Sequence, residues 1–199
     1  NGTLNGAAAS LVGGKGGTGS TADAVTVLAE GDVIGTLGNN SAAVVAQSIG
    51  GGGGMAGFAL SDAGASDTLG ASSSLGGSDG DGNTSGTVRV EIVAAVETHG
   101  ILSDGILAQS IGGGGGAAGF AAQGLYTLGA EGIESTIGGS GGSGEDAGSV
   151  AVVTDGSVYT AGAGSNAVLA QSIGAGGGRG GFYGSFSVQS PDAPIASSI

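Results

Sequence analysis

The sequence contains no cysteine and no tryptophan, only 2 prolines, and 4% aromatic residues among its 199 positions. Without cysteine, the chain can form neither a disulfide framework nor a thiolate metal site. The scarcity of proline excludes a collagen-like triple helix, which also needs glycine at every third position. The lack of aromatic signatures argues against a β-propeller, whose blades repeat every 40 to 50 residues or so.

Basic residues are almost as rare. Lys15, Arg89 and Arg179 stand against 16 acidic residues, which gives a net charge of −13. Nucleic-acid binding needs many Lys and Arg side chains to displace counterions, so we expect no nucleic-acid partner. No apolar run reaches the ~18 residues of a membrane span, and the first residues lack the features of a signal peptide. The sequence therefore predicts a segment of a longer polypeptide, without a membrane span.

Glycine, by contrast, accounts for 50 of the 199 residues. Each glycine inside a helix costs about 1 kcal/mol relative to alanine, which argues against long helices. The mean hydropathy of +0.32 and the 10% of charged residues are also unlike a disordered chain. Glycine favours sharp corners with positive φ and places where two backbones approach closely.

An internal repeat organises the chain. The sequence QSIGGGGGMAGF at residues 47–58 returns at 109–120 with eleven of twelve positions identical, and a third copy lies at 171–182, so the offset is 62 both times. The repeat predicts units at 1–62, 63–124 and 125–186, followed by residues 187–199 as a tail or the start of a next segment. Three columns of the repeat stand out: Gln47, Gln109 and Gln171; Phe58, Phe120 and Phe182; Thr36, Thr98 and Thr160.

Short strands bounded by Gly, Ser, Asp or Asn fill each unit. Over one repeat length the predicted strands are 88–92, 95–98, 105–111, 119–122, 125–128 and 133–137, the first with a clear two-residue alternation. Strands that recur at a fixed period predict an all-β fold, a parallel β-solenoid built from tandem 62-residue repeats with glycine-rich loops. We expect two rungs per unit, with three short rungs as the alternative. A one-residue indel separates the offset of 63 at Val25 from the offset of 62 further on.

The glycine runs and the glutamine column leave alternatives open. The runs at 50–54 and 112–116 form either loops packed flat on a neighbouring rung or extended polyproline-II-like stretches that pair with one another. The phenylalanine that ends each run is placed to cap the core or to cover the glycine loop. The glutamines face either inward or outward, and a direct glutamine ladder requires a single rung per 62 residues, which we do not expect.

Few residues indicate chemistry. Asp79, Asp81 and Asn83 alternate as the oxygen ligands of calcium loops do, but Thr84 and Val90 stand where an EF-hand needs Gly and Glu, so this is a weak calcium candidate. The glycine-rich stretch around Lys15 does not have the residue pattern of a phosphate-binding loop. His99, the single histidine, would need Asp104 and a serine to form a triad. We therefore predict no catalytic residue, no cofactor and no enzyme activity.

The sequence GILAQSIGGGGGAAGF at residues 105–120 resembles a repeat of large autotransporters, the type V secreted surface proteins of Gram-negative bacteria, especially alphaproteobacteria. The copies at 43–58 and 167–182 are similar, and residues 86–100 and 149–174 are similar to β-helical passenger rungs. The resemblance implies a β-helical passenger region displayed outside the cell.

A non-catalytic extracellular stalk, fibre or adhesin segment that self-associates into filaments, and that contacts a host or matrix surface, is therefore the leading hypothesis. One alternative is the scaffold of a passenger whose enzymatic part lies elsewhere in the polypeptide. Another is a flat-face module that binds glycan or ice, although only the Thr36, Thr98 and Thr160 column provides the threonine ranks typical of ice binding.

Overall fold

The computed structural model describes residues 7–66, 70–128, 132–189 and 195–197, and every regular element in them is a β-strand. The strands are β1 (Ala7–Val12), β2 (Val25–Thr36), β3 (Val44–Ile49), β4 (Ala59–Ser66), β5 (Gly70–Leu75), β6 (Val88–Thr98), β7 (Ile106–Ile111), β8 (Ala121–Leu128), β9 (Gly132–Ile137), β10 (Val150–Thr154), β11 (Val158–Thr160), β12 (Val168–Ile173), β13 (Tyr183–Gln189) and β14 (Ile195–Ser197). They form four parallel sheets stacked in register, which confirms the predicted parallel β-solenoid.

One 62-residue repeat makes one coil. Gln47 pairs with Gln109, and Gln109 with Gln171, so the chain returns to the same position only after a whole repeat. The expectation of two rungs per repeat is therefore wrong. The physical reason is that the glycine runs are extended chain rather than corners, so they lengthen the path around each coil. The predicted strands at 88–92 and 95–98 are also one continuous strand, β6.

The indel read from the sequence is a β-bulge. In the pairing of β2 with β6, Val25 lies beside Val88 and Ile34 beside Val96, and the register shifts between Glu30 and Val33. The bulge takes up the extra residue of the first repeat, so the downstream columns stay aligned.

Each coil doubles back on itself to form two layers. The first layer contains β1, a glycine segment at 13–22 and β2; the second contains β3, a glycine segment at 50–57 and β4. The corresponding glycine segments are 76–85 and 138–147 in the first layer, and 112–119 and 174–181 in the second. The layers run antiparallel, so β2 faces β3 and β1 faces β4.

The two ends of this sandwich have different cores. Between β6 and β7, alternating side chains such as Val88, Val90, Ile92 and Ile106 are almost fully buried and form the hydrophobic cluster. At the other end, the polar end, buried serines share the interior with Ala59 and Leu125, and Ser61 Oγ lies 3.1 Å from Ser72 Oγ across the layers. The glycine segments separate the apolar end from the polar end.

The chain continues past the third unit, with β13 at an offset of 62 residues from β8 and β14 at an offset of 63 residues from β9. β13 extends through Ser187 to Gln189, and Ile195 in β14 pairs with Gly132 of β9. Two prolines in the 187–199 stretch, at positions 191 and 194, lie outside the described residues.

Candidate functional site

The glycine segments form a hydrogen-bonded lattice with a period of three residues. The amides of Gly51, Gly54 and Gly57 donate to the carbonyls of Ser20, Gly17 and Gly14, at 2.7–2.8 Å. Every third amide also bonds to the next coil: those of Gly50, Gly53 and Ala56 donate to the carbonyls of Ile111, Gly114 and Ala117. Three residues per turn without internal hydrogen bonds is the geometry of polyproline II. Of the two alternatives for the glycine runs, the paired extended stretch is therefore the observed one.

Close approach, rather than positive φ, explains most of the glycines. A Cβ on Gly16 would lie 2.6 Å from the carbonyl oxygen of Gly54, and one on Gly115 would lie 2.5 Å from the amide nitrogen of Gly178. Among the described glycines only Gly156 and Gly164 have a positive φ in the left-handed range. The lattice thus excludes side chains because neighbouring backbones occupy their space.

The glutamine column forms the ladder that was not expected. Gln47 Nε2 donates to Gln109 Oε1, and Gln109 Nε2 donates to Gln171 Oε1, both at 2.6 Å. The alternation in β3 buries Ala46 and Ser48 and exposes Gln47, so the glutamines face outward. A ladder of identical amides spaced by one strand separation forms because each repeat is one coil.

The phenylalanine column is a stack of rings on the outside of the solenoid. Phe58 and Phe120 have ring centroids 5.3 Å apart with an interplanar angle of 8°, and Phe120 and Phe182 repeat this spacing at 6°. Phe58 is 63% exposed and Phe182 70% exposed. The rings therefore do not cap the core, and because they stack on one another they present mainly edges to solvent.

The threonine column points inward, where it closes the turn between β2 and β3. The hydroxyl groups of Thr36 and Thr98 donate to the carbonyls of Ser41 and Ser103 at 2.6 Å, and Thr160 makes the equivalent bond to Ser165 at 3.5 Å. Thr98 is fully buried. This column therefore stabilises the turn through hydrogen bonds, and it does not form an exposed row of threonines.

The three calcium candidates lie in different surroundings. Asp79 is buried, and its carboxylate oxygens would lie 3.1 Å from a Cβ on Gly142 and 2.8 Å from a Cβ on Gly178. Asp81 is exposed, and its Oδ1 accepts a 2.8 Å hydrogen bond from the Ser143 amide. Asn83 Nδ2 donates to the carbonyl of Gly19 at 3.0 Å. The three-residue period of the glycine segment turns alternate positions toward different sides, so the structure does not bring these side chains together.

Two carboxyl groups have shifted pKa values. The backbone N–H and then the hydroxyl of Ser143 donate to Asp81 and lower the pKa of its carboxyl below the ordinary 3.8. Burial raises the pKa of Glu134 above its ordinary 4.5, because β9 points this side chain into the polar end of the sandwich. Both shifts follow from position in the solenoid.

The other chemically interesting residues are dispersed. His99 Nε2 lies 3.9 Å from Glu97 Oε2, and the ring of His99 contacts Tyr159 at a centroid distance of 6.1 Å. Asp104 Oδ1 accepts a hydrogen bond from the Asn166 amide at 2.7 Å. Within the part of the chain that the structure describes, no group of three or more His, Asp and Glu side chains could hold a metal ion.

The difference between the two outer faces was not predicted from the sequence. The outward positions of β3, β4 and the glycine segment between them, with their equivalents in the other coils, form what we call the apolar face. Its side chains include Ile49, Met55 and Phe58. The outward positions of β1, β2 and their glycine segment, with their equivalents, form the acidic face, which carries Asp81 and Glu91 among others. The sequence does contain a signal for this division. Outward positions recur every third residue in the glycine segments and every second residue in the strands.

Comparison with protein-family models, with curated proteins and with solved structures finds no match to this chain. Among the described residues, no helix has the length and apolarity that a membrane crossing requires.

Proposed function

We propose that this chain is a non-catalytic structural repeat segment, exposed outside a Gram-negative cell, that self-associates into fibres or sheets as part of a stalk or adhesin. The observation that carries the proposal is the in-register stacking of one 62-residue coil on the next. Each coil presents a row of strand amides and carbonyls to its neighbour along all four sheets. A coil of the same kind is therefore the natural partner of either outer coil.

The side-chain columns support this role. The glutamine and phenylalanine ladders join equivalent residues of successive coils, so each added coil extends both ladders. Such columns stabilise a stack of identical coils, and they give no single coil a distinctive site. The dispersal of His99 and Asp104 into separate contacts also favours a structural role over a catalytic one.

The proposed location is the outer surface of a Gram-negative cell. The resemblance of residues 105–120 to autotransporter passenger repeats supports display at the cell surface, where a host or matrix surface would be the further partner. Labelling of intact source cells with an antibody to this segment tests the location. Staining only after the cells are permeabilised would contradict it.

Salt dependence tests self-association. The net charge of −13 opposes contact between copies, and salt screens this repulsion over about 8–10 Å, whereas backbone pairing acts at contact. We expect sedimentation velocity at micromolar concentration to show larger species as salt rises, and electron microscopy of the same samples to show extended assemblies. A monodisperse monomer at both low and high salt would contradict the proposal.

A further inference from the structure

The two outer faces of the solenoid differ sharply in charge. Among the described outward positions of the apolar face, the charged residues are one acid, Asp62, and one base, Arg179. The outward positions of the acidic face carry more charge, most of it acidic: Lys15, Glu30, Asp32, Asp81, Arg89, Glu91, Glu97, Asp146 and Asp155. The charge that keeps copies apart is therefore concentrated on one side of the molecule.

The apolar face is a continuous surface. The glycine segment at 50–57 pairs with the segment at 13–22 along its length, so the chain runs from β3 to β4 without a turn. Exposed apolar side chains follow this path: Ile49 is 54% exposed, Met55 80%, Phe58 63% and Leu60 62%. In the third coil Phe182 and Phe186 are each 70% exposed. The glutamine column crosses this surface between Val45 and Ile49, and most of its other outward side chains are apolar. A broad, largely apolar surface marks an interaction site in soluble proteins.

We infer that the apolar face pairs with the apolar face of a second copy of this chain. This inference rests on the proposed function, which it deepens by naming the surface of lateral association. Residues 45–64 span about 60 Å at the rise of extended chain, and three coils are about 14 Å high. Each copy thus offers on the order of 850 Å², and a symmetric pair would bury on the order of 1,700 Å², the size of a standard stable interface.

Relief and charge favour a second copy over other occupants. The phenylalanine column forms a ridge, and the adjacent column, Leu60, Ala122 and Gly184, becomes small in two of its three coils. A two-fold axis lets the ridge of each copy enter the trough of the other. The stacked phenylalanines offer edges rather than faces, which disfavours the ring-face contact that a sugar makes, and the net charge of −13 disfavours an anionic membrane.

Matched charge variants test the pairing. Met55→Glu with Leu60→Glu places two carboxylates on the apolar face, and Thr18→Glu with Leu28→Glu places two on the acidic face; all four positions are exposed. Like charges opposed at an interface cost several kcal/mol, so we expect the first variant to weaken lateral association by about a hundredfold. The second variant should associate like the wild type at high salt. Circular dichroism of dilute samples checks that both variants fold.

A cysteine-protection experiment covers the case in which the double variant does not fold. Because the chain has no cysteine, Met55→Cys and Thr18→Cys each introduce a single reporter thiol. We expect the thiol at position 55 to become protected from alkylation as concentration rises and the thiol at position 18 to stay reactive. Positions 55 and 18 both lie in the first coil, so end-to-end stacking would affect them alike, and selective protection at 55 reports pairing of the apolar face.

The outcomes separate this inference from the proposed function. If all variants assemble equally and position 55 stays reactive, the pairing is wrong while self-association stands. If the wild type is monomeric at every salt concentration, both are wrong. If the monomer instead co-sediments with neutral phosphatidylcholine vesicles or binds a glycan array, the apolar face takes that ligand and the pairing is overturned.

Discussion

At the scale of single residues, Asp79 is the position where sequence and fold conflict. It lies in a column with Gly16 and Gly141, as the hydrogen bonds from Gly16 N to Ser78 O and from Asp79 N to Ser140 O show. Its two carboxylate oxygens are buried and have no hydrogen-bond partner. A buried polar group without a partner destabilises a fold, because it loses its water and gains nothing in return.

We therefore expect Asp79→Gly to stabilise the solenoid by about 1–3 kcal/mol, the usual penalty of an unsatisfied buried group. Chemical denaturation followed by circular dichroism measures the change. Asp81→Gly is the matched control, since that carboxylate is exposed and bonded to Ser143, and its loss should be neutral or slightly destabilising. A lower stability of Asp79→Gly would show that the carboxylate has a partner in solution.

Glu134 predicts a pH dependence of stability. Burial raises the pKa of this carboxyl above its unfolded value near 4.5, so the folded state holds the proton more tightly than the unfolded state does. The resulting stabilisation is present at low pH and is lost as pH rises from about 4.5 through the raised folded pKa.

The variant Glu134→Gln removes this titration. We expect its unfolding free energy to be higher than that of the wild type above this window and to vary less with pH across it. Denaturation midpoints measured at closely spaced pH values give the comparison, with Glu97→Gln, an exposed carboxyl, as the control. Parallel pH profiles for wild type and Glu134→Gln would contradict the prediction.

At the scale of elements, neighbouring glycines of one glycine segment differ sharply in the space that surrounds them. A Cβ on Gly115 would lie 2.5 Å from the amide nitrogen of Gly178, whereas the nearest atom to a Cβ on Gly114 would be 3.7 Å away. Overfilling a tight interior costs about 1–3 kcal/mol or more. Filling an open position with alanine removes unfolded-state freedom and gains about 0.4–1 kcal/mol.

We expect Gly115→Ala to lower the melting temperature and Gly114→Ala to leave it unchanged or raise it slightly. The two substitutions are identical and adjacent, so a thermal unfolding scan of each isolates the effect of the lattice. Equal destabilisation by both variants would mean that the glycines serve flexibility rather than close approach.

The sequence predicted the fold class and the columns, but not the number of coils. Identical spacing of Gln47, Gln109 and Gln171 established what repeats, and the two-residue alternation at Val88 and Val90 established the strands. The length of a coil depends on the glycine segments, and a run such as 112–116 has no side-chain pattern from which its conformation can be read. The hydrogen bonds that recur every three residues between coils depend on how backbones distant in sequence pack against one another.

The outward direction of the glutamines was open for a related reason. Leu107, Gln109 and Ile111 form one face of β7, and Ile106, Ala108 and Ser110 the other, so both faces contain large apolar residues. The opposite layer determines which face of β7 points inward. Ser110 Oγ donates to the carbonyl of Gly86 in that layer at 2.8 Å, so Ser110 points inward. That partner is distant in sequence.

At the scale of the whole molecule, one coil per repeat predicts which duplications the chain tolerates. The middle coil is covered on both sides, and its core residues Val90, Val96 and Ile106 are fully buried. A second copy of residues 63–124, inserted in register, adds another covered coil, and the stability of stacked repeats grows with their number.

We expect this duplication to raise the melting temperature measured by circular dichroism. Duplication of residues 63–93, half a repeat, would set strands against glycine segments and should lower the melting temperature or abolish the cooperative transition. Equal tolerance of both insertions would contradict a coil of 62 residues.

The width of the coil limits how far one polypeptide can reach. Each coil advances by one strand spacing, about 4.8 Å, so a polypeptide that spanned 1,000 Å alone would need about 200 coils and roughly 13,000 residues. Each coil is about 60 Å wide but adds only one strand spacing of height, so a chain with this repeat forms a slab with two broad sides. Its reach from a surface would have to come from the joining of many slabs, while its contact area with a neighbour is large from the first few coils.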